Sequence, residues 1–63
     1  MKITRTSRLT GKTSVMDLKI TQAQLDAWVD GMLIQDAMPQ LPPEHREFLM
    51  TGITPDEWDS VFG

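Results

Sequence analysis

Apolar residues recur along this chain with two different periods, and the change of period divides it. From Ser14 to Ile20 they alternate: Met16, Leu18 and Ile20 point one way, and Val15, Asp17 and Lys19 the other. A period of two marks a half-buried strand. The stretch from Lys2 to Ser7 is rich in β-branched residues but offers only Ile3 as a large apolar side chain. It is the poorer strand, expected to be frayed or ordered only on binding. Thr10-Gly11 between the two is a turn signal, because glycine takes positive φ at little steric cost. Residues 2–20 are therefore read as a β-hairpin. A lone hairpin is barely stable in water, so its Met16/Leu18/Ile20 face must pack against the rest of the chain.

From Thr21 the period becomes helical. Leu25, Trp28, Val29 and Met32 follow the i, i+3, i+4, i+7 spacing of one helix face. Thr21 as N-cap with Gln24 three residues on forms a capping box, and Ile20 with Leu25 a hydrophobic staple. Gly31 either ends this helix in a left-handed cap or is carried through to Met38 at ~1 kcal/mol. The break is favoured, followed by a short helical turn over Leu33–Met38 that Pro39 stops. Leu41-Pro42-Pro43 opens the next helix, with Glu44 near its positive end, Phe48 and Leu49 inward and Gly52 as its C-cap. Thr54 then repeats the earlier start signal, with Pro55 at the first helical position, Glu57 completing a box, and Ile53 and Trp58 as staple. The helices are thus expected over 22–31, 33–38, 43–51 and 55–62. The fold class is α+β, an N-terminal β-hairpin packed against a bundle of short α-helices in one small domain, 1–63. The expected core is Ile3, Met16, Leu18, Ile20, Leu25, Trp28, Val29, Leu33, Phe48, Leu49, Ile53, Trp58 and Phe62.

Length limits what such a core can do. With 63 residues the chain makes one domain at most and buries only ~60% of its unfolded surface. It has no cysteine, so neither a disulfide nor a thiolate zinc site can staple it. Two tryptophans can hardly both be fully buried at this size, which points to a homo-oligomer or a partner surface. No apolar run approaches the ~18 residues of a membrane span, and the N-terminus lacks the apolar stretch of a secretory signal. A cytoplasmic address without membrane contact is the expectation.

Charge adds an asymmetry that the net value of -3 conceals. Residues 1–20 carry Lys2, Arg5, Arg8, Lys12 and Lys19 against Asp17, a balance of 5 - 1 = +4. Residues 21–63 carry Arg46 against Asp26, Asp30, Asp36, Glu44, Glu47, Asp56, Glu57 and Asp59, a balance of 1 - 8 = -7. A basic head on an acidic body bears on partners and steering, not on fold.

Catalytic chemistry finds little material. There is one histidine, no cysteine and no tyrosine, and the serines lie in no nucleophile motif. His45 reads as a partly exposed helix residue. The acids lack the spaced loop of a calcium site. Thr10-Gly11-Lys12-Thr13 echoes the end of a phosphate-binding loop, but Thr6 stands where that motif needs glycine and a strand follows instead of a helix. No enzyme activity, cofactor or metal is expected.

Several strings resemble a known kind of protein. Leu33 to Leu41 (LIQDAMPQL), Arg46 to Gly52 (REFLMTG) and Ile53 to Trp58 (ITPDEW) are similar to stretches of short bacteriophage-encoded proteins, including those of single-stranded DNA phages. The basic, Ser/Thr-rich start ending near Gly11, the Met16-x-Leu18 strand and Trp28 with Gly31 extend the resemblance over most of the chain. It implies a phage or mobile-element origin and the bacterial cytoplasm, and it brings no catalytic or binding residue with it.

Two functions are carried forward. The first is a non-enzymatic protein that binds a host or phage protein, as a stoichiometric inhibitor would. Its surface would be rimmed by Asp26, Asp30, Asp36, Asp56, Glu57 and Asp59 and centred on Trp28, Met32 or Met38, because aromatic and Met residues suit interface centres while charges set encounter and orientation. The alternative is nucleic-acid binding through Arg5, Arg8, Lys12 and Lys19 on the hairpin. The acidic body and the lack of a hairpin aromatic count against it.

Overall fold

The computed structural model describes all residues from Met1 to Gly63. Strands β1 (Lys2–Thr6) and β2 (Thr13–Asp17) are followed by α1 (Gln22–Val29), α2 (Ile34–Ala37), α3 (Pro43–Thr51) and α4 (Pro55–Phe62). The fold is α+β, with a two-stranded antiparallel hairpin leading four short helices.

Both strands form and pair along their length, including the poorer one. Ile3 lies opposite Met16 and Arg5 opposite Ser14. Met1 closes the open end: its amino group donates to the Leu18 carbonyl at 2.8 Å and meets the Asp17 carboxylate at 3.1 Å. At the other end Ser7 sits buried, its hydroxyl accepting from the backbone N–H of Leu9 at 3.2 Å and of Thr10 at 3.4 Å. Gly11, at φ 77°, completes the turn. β2 stops at Asp17, short of the expected Ile20, yet Leu18 and Ile20 still reach the core.

Helix α1 begins with the full capping box. The Thr21 hydroxyl accepts from the Gln24 N–H, and the Gln24 side chain accepts from the Thr21 N–H, both at 3.1 Å. It ends at Val29, two residues before the expected limit, with a paired C-terminal motif. Gly31 N–H bonds the Trp28 carbonyl and Met32 N–H the Ala27 carbonyl, each at 3.0 Å. Gly31 takes φ 114° to allow this, so the helix breaks there.

Core membership differs from the sequence expectation in a consistent way. Ile3, Leu18, Ile20, Phe48, Leu49 and Ile53 are buried as expected. Met16, Leu25 and Trp28 pack on the core only in part. Val29 is 76% exposed, and Leu33, Trp58 and Phe62 also face out. Their places are taken by Ile34, Ala37, Met38 and Leu41. These four are spaced i, i+3, i+4, i+7, the same stripe that the other helices follow. Leu33 precedes the first turn of α2 and lies one residue out of phase with that stripe.

The hairpin is tied to the helices at one end. Gly52 caps α3 at φ 77°, and a Cβ there would stand 2.3 Å from the Thr6 carbonyl oxygen. Only a residue without a side chain lets α3 end against β1. Arg8 N–H then bonds the Thr51 carbonyl at 3.1 Å, and Arg5 Nε reaches the Leu49 carbonyl at 3.4 Å. A guanidinium beside the last carbonyls of α3 also suits the negative end of its dipole.

Candidate functional site

Helix α4, like α1, has no buried residue, but α1 packs Leu25, Ala27 and Trp28 on the core while the apolar residues of α4 face outward. Its start is well made: the Thr54 hydroxyl accepts from the Glu57 N–H at 3.1 Å, and Pro55 occupies the first turn. The expected capping box is only half formed. The Glu57 side chain turns to the hairpin instead, where its Oε2 accepts from the Thr10 hydroxyl. That bond, foremost, holds the Glu57 carboxyl below its ordinary pKa. Burial opposes it, and Ser7, Thr54 and the positive charge of Lys12 add to the lowering. Glu57 is therefore a fastening between the hairpin turn and α4, not a free rim acid.

Beyond that fastening α4 presents Trp58, Val61 and Phe62, an i, i+3, i+4 stripe facing solvent. Trp58 is 45% and Phe62 58% exposed, with ring centroids 4.6 Å apart and planes tilted by 44°. The contact holds each ring against the other, so the aromatic surface is partly pre-ordered. Asp56 and Asp59 on the same helix are exposed. Between α3 and α4 lies a cleft of about 330 Å³, with Trp58, Pro43 and Ile53 among its walls and Glu44, Glu47 and Asp59 around it.

The other expected residues divide between places. Asp26, Asp30 and Asp36 are exposed near the α1–α2 corner, alongside exposed Met32, Val29 and Leu33. Asp26 accepts from Gln22 Nε2 at 2.9 Å. Asp30 caps the C-terminus of α1, the negative end of the dipole, where an acid does nothing for helix stability. Trp28 is half-buried against the core. Met38 is fully buried and is core filler, which removes it from any contact surface. Since α1 packs on α2 and α4 on α3, the acids form two groups and not one rim.

The basic set is divided as well. Arg5 is engaged by the Leu49 carbonyl and by its neighbour Thr4, through Nη1 at 2.9 Å. Lys12 lies near Glu57, Arg8 is in the turn and Lys19 follows β2. No group of three His, Asp or Glu side chains is placed to hold a metal ion, and no helix is long and apolar enough to cross a membrane.

What sequence reasoning missed at the surface is the α4 stripe as a stripe. Its spacing was legible; its outward direction was not, since the same pattern suits a helix that docks. The chain matches no protein-family model, no curated protein and no solved structure.

Proposed function

We propose that this is a non-enzymatic binding protein that docks a host or phage protein through the apolar face of α4. The observation that carries the reading is Trp58, Val61 and Phe62, left 45%, 51% and 58% exposed along one stripe of α4, while the core is filled elsewhere. Aromatic side chains supply a large share of contact energy at interfaces, and a short amphipathic helix is a common way to offer them. Asp56 and Asp59 beside the stripe, and the net -7 of residues 21–63, favour a partner whose contact surface is basic around an apolar centre. Stoichiometric inhibition of such a partner, in a bacterial cell carrying a phage, is the finer form of the proposal and rests on the sequence resemblance. Asp26, Asp30 and Asp36 then serve as a steering field more than as contacts.

The test uses three forms of the protein as bait against bacterial lysate: wild type, Trp58→Ala/Phe62→Ala, and Val29→Ala/Leu33→Ala. One basic protein retained in equimolar amount by the first and third, and lost by the second, supports the reading. Retention that survives loss of the α4 aromatics moves the surface elsewhere. A gel shift with DNA and RNA at two salt concentrations runs beside it. Tight binding that weakens steeply with salt and disappears in Arg8→Ala/Lys12→Ala would replace the proposal with the nucleic-acid reading.

A further inference from the structure

The cleft between α3 and α4 combines two kinds of recognition in one place. Its aromatic wall is the Trp58 indole, steadied by Phe62. Its acids are Glu44 and Glu47, three apart on α3 and so on neighbouring parts of one face, and Asp59 on α4. No lysine or arginine lines it, and the only ion pair in the molecule joins the Met1 amino group to Asp17. Glu44 gains something from the positive end of α3, but Glu47 and Asp59 have no such helper. Three carboxylates around an apolar recess without an internal cation leave a site whose charge is satisfied from outside.

We infer that this cleft receives an arginine side chain of the docked partner, its guanidinium stacked on Trp58 and paired with Glu47 and Asp59. The inference rests on the reading of α4 as the docking face. Arginine fits better than lysine for two reasons. Its planar cation lies flat on an indole, and its fixed fork of N–H donors serves two carboxylates together. Lysine offers a compact, strongly hydrated charge that loses more water on entering a recess with apolar walls. The volume of about 330 Å³ suits one long side chain and leaves the Val61–Phe62 end of the stripe for the partner's apolar residues.

The probe is a short amphipathic peptide with a leucine face and flanking arginines, with lysine and citrulline counterparts. Binding is read from the Trp58 indole N–H and backbone amides by NMR, in the full chain. The arginine peptide is expected to shift Trp58, Glu47 and Asp59 saturably and to bind roughly tenfold more tightly than the citrulline peptide, with lysine between. Glu47→Gln/Asp59→Asn should remove that arginine preference while circular dichroism stays unchanged. Equal binding of the arginine and citrulline peptides at α4 overturns the cleft and leaves the docking face standing. Shifts spread evenly over Asp26, Asp30 and Asp36 reduce the effect to general charge attraction and overturn it too. Failure of all three peptides to perturb α4 overturns the cleft and the docking face together.

Discussion

Helix α3 and helix α4 are nearly the same length and both begin with proline in the first turn, yet they have opposite fates. α3 buries Phe48 and Leu49 in one core cluster with Ile3, Leu18 and the α2 residues Ile34 and Ala37, and Gly52 lets its end meet β1. α4 has the stronger start signal and the clearer apolar stripe, and none of its residues is fully buried. It is held by Glu57 to Thr10 at its first turn and by part of the Trp58 side chain near α3. Caps and periodicity are local properties, and they make a helix. Whether its apolar face is core or contact surface depends on what stands opposite. A helix this short is marginal alone, so α4 persists through its polar fastening and its capping.

That contrast is sharpest under truncation. A chain of this size has a stability of only about 3–9 kcal/mol, at ~0.05–0.15 per residue. Phe48 is fully buried, so Phe48→Ala is expected to cost about 3–5 kcal/mol, half or more of that stability at mid-range, and to lower the urea midpoint more than Gly52→Ala or the loss of either threonine cap. Phe48→Leu keeps enough volume for the loss to be measured in urea.

Gly52→Ala comes next. The left-handed cost of ~1–2 kcal/mol is joined by a clash with backbone atoms of β1 that cannot swing aside. Gly11→Ala is the control, since it has the same φ of 77° but nothing lies within 4 Å of the added Cβ. A urea midpoint for Gly52→Ala no lower than that for Gly11→Ala would separate α3 from the hairpin.

The two caps should cost less and alike. Thr21→Ala and Thr54→Ala are each expected to lose roughly 0.5–2 kcal/mol, read from denaturant midpoints. Thr54→Ala tests α4 more directly, because that helix has little else to hold it.

Acid addresses the Glu57 fastening. Its carboxyl is held below its ordinary value, so the folded state binds that proton less readily than the unfolded chain. The stability it contributes is present above the unfolded-state pKa and is lost as pH falls through the lower folded-state value. Glu57→Gln should flatten the decline of thermal midpoint across the acid range below the ordinary carboxylate pKa. An unchanged decline would assign the acid sensitivity to other carboxylates.

How much of this was legible follows the same division. The hairpin's inward face, both threonine N-caps, the left-handed Gly52 and the break at Gly31 came from residue chemistry that acts within a turn or two. The α2 segment was harder. Ile34, Ala37, Met38 and Leu41 carry the helical spacing, but Pro39 interrupts it and Leu33 offers a rival phase. Met38, which the sequence consequently puts at a surface, fills the core instead. Trp58 and Phe62 erred the other way, because large aromatics on an amphipathic helix fit a core and an interface equally well. The half-formed box at Thr54 was beyond sequence reach: Glu57 leaves it for Thr10, 47 residues away along the chain.

The most direct test of the account is the urea unfolding of Trp58→Ala/Phe62→Ala beside Phe48→Leu and wild type. If the α4 aromatics are contact surface, the double variant loses about 2 kcal/mol, for the partly covered indole and the ring pair, with an unchanged unfolding slope. A loss of about 5 kcal/mol or more, the range of truncating two core aromatics, would make Trp58 and Phe62 part of the core and contradict the account.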